Sequence, residues 1–154
     1  MKATVLLEKD HADVMDRFDD FEAAGDAERK KIFADVRQAL ELHARLEEEL
    51  FYPELRKIPE LEDRVAEALQ EHRLVKQMLG ELGKLDHFGK DDLAKVKVLR
   101  ENVAHHVEEE EGELFEAARR HWGEDQDRTL GKRLEERKRQ LHGRPADARS
   151  KAPA

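Results

Sequence analysis

The sequence predicts an all-α protein: an up-down-up-down antiparallel four-helix bundle with a weaker C-terminal helical extension and a disordered tail. Apolar residues recur at helical spacing in four long segments. The connections of about 4 to 7 residues between these segments favour antiparallel neighbours. Charged residues make up 43% of the chain and hydrophobic residues 38%, so each helix must bury a narrow apolar stripe. No segment has the alternating pattern that indicates a strand.

The first two predicted helices form a hairpin. The first runs from about Val5 to Ala23, and the second runs from about Ala27 to Tyr52, where Pro53 is expected to end it. Their apolar stripes contain Leu7, Val14, Phe18 and Phe21 in the first helix, and Ile32, Val36, Leu40 and Leu50 in the second.

The third and fourth predicted helices form a second hairpin. The third runs from about Glu60 to Leu82 and the fourth from about Asp91 to His121. Their apolar stripes contain Leu61, Val65, Leu69 and Leu79 in the third helix, and Val96, Leu99, Val103, Val107 and Leu114 in the fourth.

The C-terminal part of the chain differs in charge and in pattern. After Gly123, the segment DRTLGKRLEERKRQL predicts a weaker helix that packs along the bundle, and HGRPADARSKAPA predicts disorder. The formal net charge is −14 for residues 1–127 and +6 for residues 128–154. We therefore expect a bundle over residues 1–123 and a basic extension over residues 124–154. The acidic body disfavours nucleic acid as a partner.

Composition excludes several classes of function. The chain has no cysteine, which excludes disulfides, thiolate metal sites and cysteine nucleophiles. No apolar run approaches the roughly 18–20 residues of a membrane span. The stretch MKATVLLEKDHADV is too charged after residue 7 for a signal peptide. We expect a cytoplasmic protein with no membrane partner, and a monomer because no exposed apolar patch is evident.

Three histidines are predicted to lie in the middle of the core face of their helices. At about 100° per residue, Val36 lies about 20° to one side of His43 and Leu50 about 20° to the other. His43 is therefore central in its apolar stripe. His11 and His72 are central in the stripes of the first and third helices by the same measure.

The fourth helix carries two adjacent histidines in the stretch HHVEEEEGELF. His106 lies about 20° from Leu99, at the edge of the core face. His105 lies about 100° away from His106, on the solvated flank. The sequence therefore predicts that His106 faces inward and that His105 does not.

Two glutamates share the core faces with these histidines. Glu47 follows His43 by four residues, and Glu110 follows His106 by four. A carboxylate in an apolar stripe costs several kcal/mol unless it is paired or binds a metal ion, and Lys76 alone cannot pair with both. Imidazole and carboxylate are ligands expected for iron, manganese or zinc.

Six protein ligands from four helices are enough for two metal ions. The candidate metal ligands are His11, His43, Glu47, His72, His106 and Glu110. The alternative is a metal-free charged bundle whose core histidines have only a structural role.

The two halves of the predicted bundle repeat one pattern. A leading histidine is followed 32 residues later by HARLEEELF in the first half, and 34 residues later by HVEEEEGELF in the second. Each leading histidine is preceded by an acid, Asp10 or Glu71. Two such hairpins predict a pseudo-twofold bundle with a binuclear centre between them.

At these residues the sequence resembles the hemerythrin-like family, also called HHE cation-binding domains. The matching stretches are LLEKDH (6–11), HARLEEELFYP (43–53), EHRLV (71–75) and HHVEEEEGELF (105–115), and the resemblance covers about residues 1–122. It implies two non-haem iron ions bridged by an oxo or hydroxo group. It assigns one iron to His11 and His43, the other to His72 and His106, and gives both bridging carboxylates, Glu47 and Glu110.

One position departs from the family pattern. Oxygen-carrier hemerythrins have a further histidine four residues after the one that matches His72, and this chain has Lys76 there. The second iron then has an open position, or another donor such as His105 or Glu109 fills it. A ferritin-like site needs two Glu-x-x-His pairs, and the long helices offer one, Glu8–His11.

The resemblance implies a protein that binds dioxygen or a related small diatomic for sensing, storage or delivery. The first alternative is an enzyme in which the same centre consumes peroxide or nitrogen oxides. The second is an iron or redox sensor whose bundle loosens when metal is lost.

Overall fold

The computed structural model describes residues 1–142, and every regular element in that part of the chain is helical. The α-helices are α1 (Ala3–Ala23), α2 (Asp26–Leu46), α3 (Tyr52–Leu55), α4 (Glu62–Leu82), α5 (Lys90–Glu109), α6 (Phe115–His121) and α7 (Glu124–His142). A 3₁₀ turn (Pro59–Leu61) precedes α4. Two π-helical segments, Glu47–Phe51 and Glu110–Leu114, join α2 to α3 and α5 to α6. The all-α prediction is confirmed.

Residues 1–142 form five long helical segments, whereas the sequence predicts four and a weaker extension. The fifth is α7, which is 19 residues long and reaches His142. Its helix packs against α1 and α2, where its three leucines, Leu130, Leu134 and Leu141, are buried. The up-down-up-down order of exactly four helices therefore does not describe the whole fold. The predicted disordered tail lies, apart from His142, outside the described residues.

The second helical segment continues past the position where the sequence predicts its end. Pro53 is the second residue of α3, directly after the first π segment, and helical structure extends to Leu55. A proline is tolerated in the first turn of a helix because its missing N–H group is not needed there. The π segment thus permits a proline that would break an uninterrupted α-helix.

Two apolar clusters lie at opposite ends of a polar layer. One contains Leu7, Leu46 and Phe115, and the other contains Val14 and Leu40. Along α1 and α2, a histidine stands between residues of the two clusters, so the polar layer crosses the core. Apolar packing above and below this layer keeps water away from it.

Helix α7 is held to the start of α1 by a buried carboxylate. Asp127 accepts hydrogen bonds from the backbone N–H of Thr4 at 3.1 Å and from the Thr4 hydroxyl at 2.9 Å. The first turn of α1 carries no acidic residue of its own. Asp127 therefore satisfies a free N–H group at the positive end of α1 from another helix.

Among residues 1–142, no helix combines the length and the apolar character needed to cross a bilayer.

Candidate metal centre

The structure brings all six predicted metal ligands together in the polar layer. They come from four helical segments: His11 from α1, His43 and Glu47 from the second segment, His72 from α4, and His106 and Glu110 from the fourth. All six are buried, and the two glutamates are fully enclosed. Their donor atoms form two overlapping groups in which all atoms lie within 4.8 Å of one another. The role of these residues as ligands stays a prediction.

The first group consists of His11, His43, Glu47 and Glu110. Nε2 of His11 lies 3.0 Å from Oε1 of Glu110, and Nε2 of His43 lies 3.3 Å from Oε2 of Glu47. Despite these short distances, none of the four atoms has a hydrogen-bond partner of good geometry among residues 1–142. Four buried polar atoms that face one another without hydrogen bonds are a donor set suited to a cation.

The second group consists of Glu47, His72, His106 and Glu110. Nε2 of His72 lies 3.1 Å from Oε1 of Glu47, and Nε2 of His106 lies 3.3 Å from Oε2 of Glu110. Each carboxylate thus gives one oxygen to the first group and its other oxygen to the second. Two shared carboxylates between two pairs of imidazoles are the arrangement expected of a pair of bridged metal ions.

The hydroxyl of Tyr52 lies inside the second group. It lies 3.2 Å from Oε1 of Glu47, 3.3 Å from Nε2 of His72 and 3.4 Å from Nε2 of His106, and it donates a short hydrogen bond to Oε2 of Glu110. Tyr52 is almost fully buried. The sequence does not single it out as a donor, since its position follows a π segment and a regular helix would turn it elsewhere.

A carboxylate lies behind each of the four imidazoles. The acids contact the Nδ1 atoms, and the pairs are His11 with Glu111 (2.7 Å), His43 with Asp10 (3.1 Å), His72 with Glu48 (2.7 Å) and His106 with Glu71 (2.6 Å). Such a partner fixes the ring orientation and leaves Nε2 free as the donor that faces the metal. All four Nε2 atoms belong to the two groups.

These supporting acids follow the pseudo-twofold pattern of the sequence. Asp10 and Glu71, the acids before the two leading histidines, contact the trailing histidine of the same half. Glu48 and Glu111 follow the two inward glutamates, and each contacts the leading histidine of the opposite half. The repeated acid before each leading histidine was therefore a signal that could have identified Asp10 and Glu71.

The π segments explain why a constant helix phase does not give the position of Phe115. Both segments begin at an inward glutamate, Glu47 or Glu110. A π turn adds about one residue, so the phase of everything after it shifts by roughly 100°. At a constant 100° per residue Phe115 lies opposite His106, yet it is fully buried and stacks on His11 with ring centroids 5.8 Å apart.

His105 and Lys76 lie outside the two groups. The His105 side chain is 66% exposed and its Nε2 lies 2.9 Å from Oε1 of Glu109, whereas the His106 side chain is 11% exposed. The ammonium of Lys76 lies 2.8 Å from Oε1 of Glu48. Lys76 therefore does not enter the second group, where the Tyr52 hydroxyl lies. A surface group of Glu71, His105 and Glu109 could also approach a cation, but its Glu71 carboxylate already contacts Nδ1 of His106.

The carboxylates of the polar layer stabilise the protonated form of its histidines. Burial lowers the pKa of His43, but the carboxylates of Glu47 and Asp10 outweigh it and raise the pKa to about 10. Burial likewise lowers the pKa of His106, while Glu110, Glu47 and Glu71 raise it to about 12. Without metal, these two rings are therefore protonated at neutral pH, so that any metal ion bound by them would have to displace their protons.

A small, partly open cavity of about 30 Å³ touches the imidazoles of the polar layer. Its apolar lining consists of Val14, Leu40, Val75, Leu79, Val103 and Val107. A cavity of roughly 10–15 Å³ is enough for a water molecule, but a water also needs two to four polar partners. The apolar lining therefore favours a small molecule with little need for hydrogen bonds.

Comparison with known proteins gives one match. Residues 2–118 match the family described as Hemerythrin HHE cation binding domain. No curated protein and no solved structure matches the chain. The matched region contains all six residues of the two groups and all four supporting acids, and it ends before α7.

Proposed function

Because the chain belongs to the hemerythrin HHE cation-binding family, we propose that its polar layer holds two non-haem iron ions. His11 and His43 hold one ion, His72 and His106 hold the other, and Glu47 and Glu110 serve both. The support is that four buried atoms of the first group lack hydrogen-bond partners among the described residues. Tyr52 gives the second ion a further oxygen donor.

The proposed physiological role is the binding of dioxygen or a related small diatomic for sensing, storage or delivery. Bound iron supplies reversible electron transfer to such a molecule. The observation that supports this role is the 30 Å³ apolar cavity next to the imidazoles. Val75, Leu79 and Val103 give that cavity an apolar wall, and its size restricts it to very small molecules.

A second candidate function is the consumption of peroxide or nitrogen oxides. It is favoured by Tyr52, whose hydroxyl is a proton donor within the second group. Burial and the carboxylates of Glu47 and Glu110 raise the pKa of Tyr52 well above its ordinary value. In the metal-free protein this hydroxyl therefore keeps its proton and holds it next to the Glu110 carboxylate.

Metal analysis followed by gas exchange tests the proposal. Protein purified without chelators is expected to contain about two iron ions per chain, and no bound metal would refute the proposal. The reduced protein should gain an absorption band in oxygen that disappears under vacuum. Steady consumption of peroxide, lost in Tyr52→Phe, would favour the second candidate instead.

A matched pair of variants tests the role of the cavity. Val75→Leu adds one carbon atom to the cavity wall and should retain iron while it weakens or slows the oxygen-dependent band. Val98→Leu makes the same change at an exposed position and should leave the band unchanged. Equal bands in the two variants would show that the small molecule binds elsewhere.

A further inference from the structure

We propose that Lys138 of α7 is a positioning residue for His43, so that the C-terminal helix tunes the first metal site and not the second. The inference rests on the proposed two-metal function. It concerns a helix outside the family match, which ends at residue 118.

Lys138 acts on His43 through Asp10. The Asp10 carboxylate is buried and has two partners: Oδ2 contacts Nδ1 of His43 at 3.1 Å, and Oδ1 accepts from Nζ of Lys138 at 2.5 Å. With both oxygens engaged, the carboxylate has one orientation, and the ring of His43 is fixed with it. Asp10, His43 and Lys138 also line one open groove, so solvent would reach Asp10 if the ammonium were lost.

A second salt bridge brings the same part of α7 to this site. Nε of Arg137 donates to Oε1 of Glu49 at 2.8 Å. Glu49 lies in the first π segment, two residues after Glu47. Arg137 thus docks α7 beside the first group without contact to Asp10. A variant of Arg137 can therefore distinguish the effect of docking from the effect of Lys138.

The second group has a corresponding lysine from within the matched region. Lys76 donates to Oε1 of Glu48 at 2.8 Å, and Oε2 of Glu48 contacts Nδ1 of His72 at 2.7 Å. Among residues 1–142, the other two supporting acids, Glu71 and Glu111, form no ion pair with a lysine or arginine. Each group therefore has one imidazole whose supporting acid is held by a lysine.

The lysine has two effects on its imidazole. Its charge moderates the negative charge that the carboxylate places behind the ring, and its hydrogen bond holds the carboxylate in register with Nδ1. Without Lys138, Oδ1 of Asp10 would have no partner, and the carboxylate could turn toward solvent. The ring of His43 would then lose its fixed orientation. The effect should be confined to the first group, because Glu48 and Lys76 are untouched.

Metal titration of single variants tests the inference. Zinc or cobalt(II) is titrated against a chelator, which gives two affinities independent of oxygen chemistry. Lys138→Met should lower the affinity for one of the two ions by about 3- to 10-fold. This is less than the 10- to 100-fold loss of affinity that is typical when a direct supporting partner is removed. Lys138→Arg should restore the affinity. Lys76→Met should weaken the binding of the other ion, and the double variant should weaken the binding of both ions.

Two control variants separate this role from a general effect of α7. Lys132→Met removes one exposed positive charge from the same helix and should leave both affinities unchanged. Arg137→Gln should also leave them unchanged; if it reproduces Lys138→Met, docking of α7 and not Lys138 is responsible, and the inference is wrong. If the wild-type chain binds no metal, the proposed function fails, whereas two bound ions with no change in Lys138→Met refute the role of Lys138 alone.

Discussion

His105 and His106 are neighbours in sequence, yet their rings have different surroundings. His106 points Nε2 into the second group and contacts Glu71 through Nδ1, whereas His105 is mostly exposed and pairs with Glu109. One residue corresponds to about 100° of rotation in a helix, which is enough to move a side chain from the core face to the solvated flank.

The corresponding alanine variants should differ strongly in metal binding. His106→Ala removes a donor of the second group and is expected to lower affinity for the second ion by at least about 100-fold, the upper end of losses for supporting residues. His105→Ala should retain both ions. Metal content after dialysis against a weak chelator measures the difference, and a variant of His105 that loses metal would contradict the helix-phase argument.

At the level of single residues, the sequence correctly predicted that the six candidate ligands face the core, while their role as ligands stays a prediction. His43 and Glu47 precede or begin such a segment, so the regular phase of α2 still holds for them. At a constant 100° per residue, Tyr52 lies opposite His43, yet its hydroxyl lies within the second group. The inserted residue of a π turn has no reliable signature in a single sequence, so Tyr52 could not have been identified as a donor.

Among the secondary-structure elements, α7 is the one that the sequence underestimates. Most of its side chains are charged, and its three leucines, Leu130, Leu134 and Leu141, are the only apolar side chains that it can bury. Isolated helices of this kind are marginal in water. Its stability comes from contacts that the local sequence does not reveal, in particular the hydrogen bonds from Thr4 to Asp127.

A close approach between α7 and the start of the chain requires glycine at position 131. A Cβ atom there would lie 1.9 Å from the carbonyl oxygen of Met1 and 2.9 Å from the backbone N of Ala3. Gly131→Ala should therefore destabilise the protein by about 1–3 kcal/mol, as overpacking typically does. Urea unfolding followed by circular dichroism measures the loss.

Gly112 provides the matched control for that variant. No atom among residues 1–142, apart from its own helix backbone and chain neighbours, lies within 4 Å of a Cβ built at this position. Since alanine is about 1 kcal/mol more favourable than glycine within a helix, Gly112→Ala should not lower stability. Equal losses for both glycines would indicate that backbone conformation, and not the contact with Met1, is what position 131 requires.

At the level of the whole molecule, a charged layer separates two apolar clusters and must be neutralised in every state of the protein. In the proposed metal-bound form, the ions neutralise Glu47 and Glu110. Without metal, protons on the histidines do so, since the pKa of His43 is raised to about 10 and that of His106 to about 12. The fold class and the position of this layer followed from the sequence, whereas the distribution of protons depends on distances that only the structure provides.

Stability should therefore depend on pH in the metal-free protein. A histidine whose folded pKa is raised stabilises the fold fully below its unfolded pKa of about 6.5, and this contribution is lost as pH rises through the folded pKa. Metal-free protein should lose on the order of a few kcal/mol between about pH 6.5 and about pH 10, as measured by urea unfolding. Metal-loaded protein should change much less, and metal uptake at pH 7 should release protons.

The pattern of supporting acids determines at which stage of folding the metal centre can form. Glu48 supports a histidine of the second hairpin, and Glu111 supports a histidine of the first. A fragment that ends at Leu61 would retain His11 and His43. It would lack Glu111, which supports His11, and His72, which Glu48 supports. Tight metal binding is therefore a cooperative property of both hairpins together, and it should appear only when they have closed on each other.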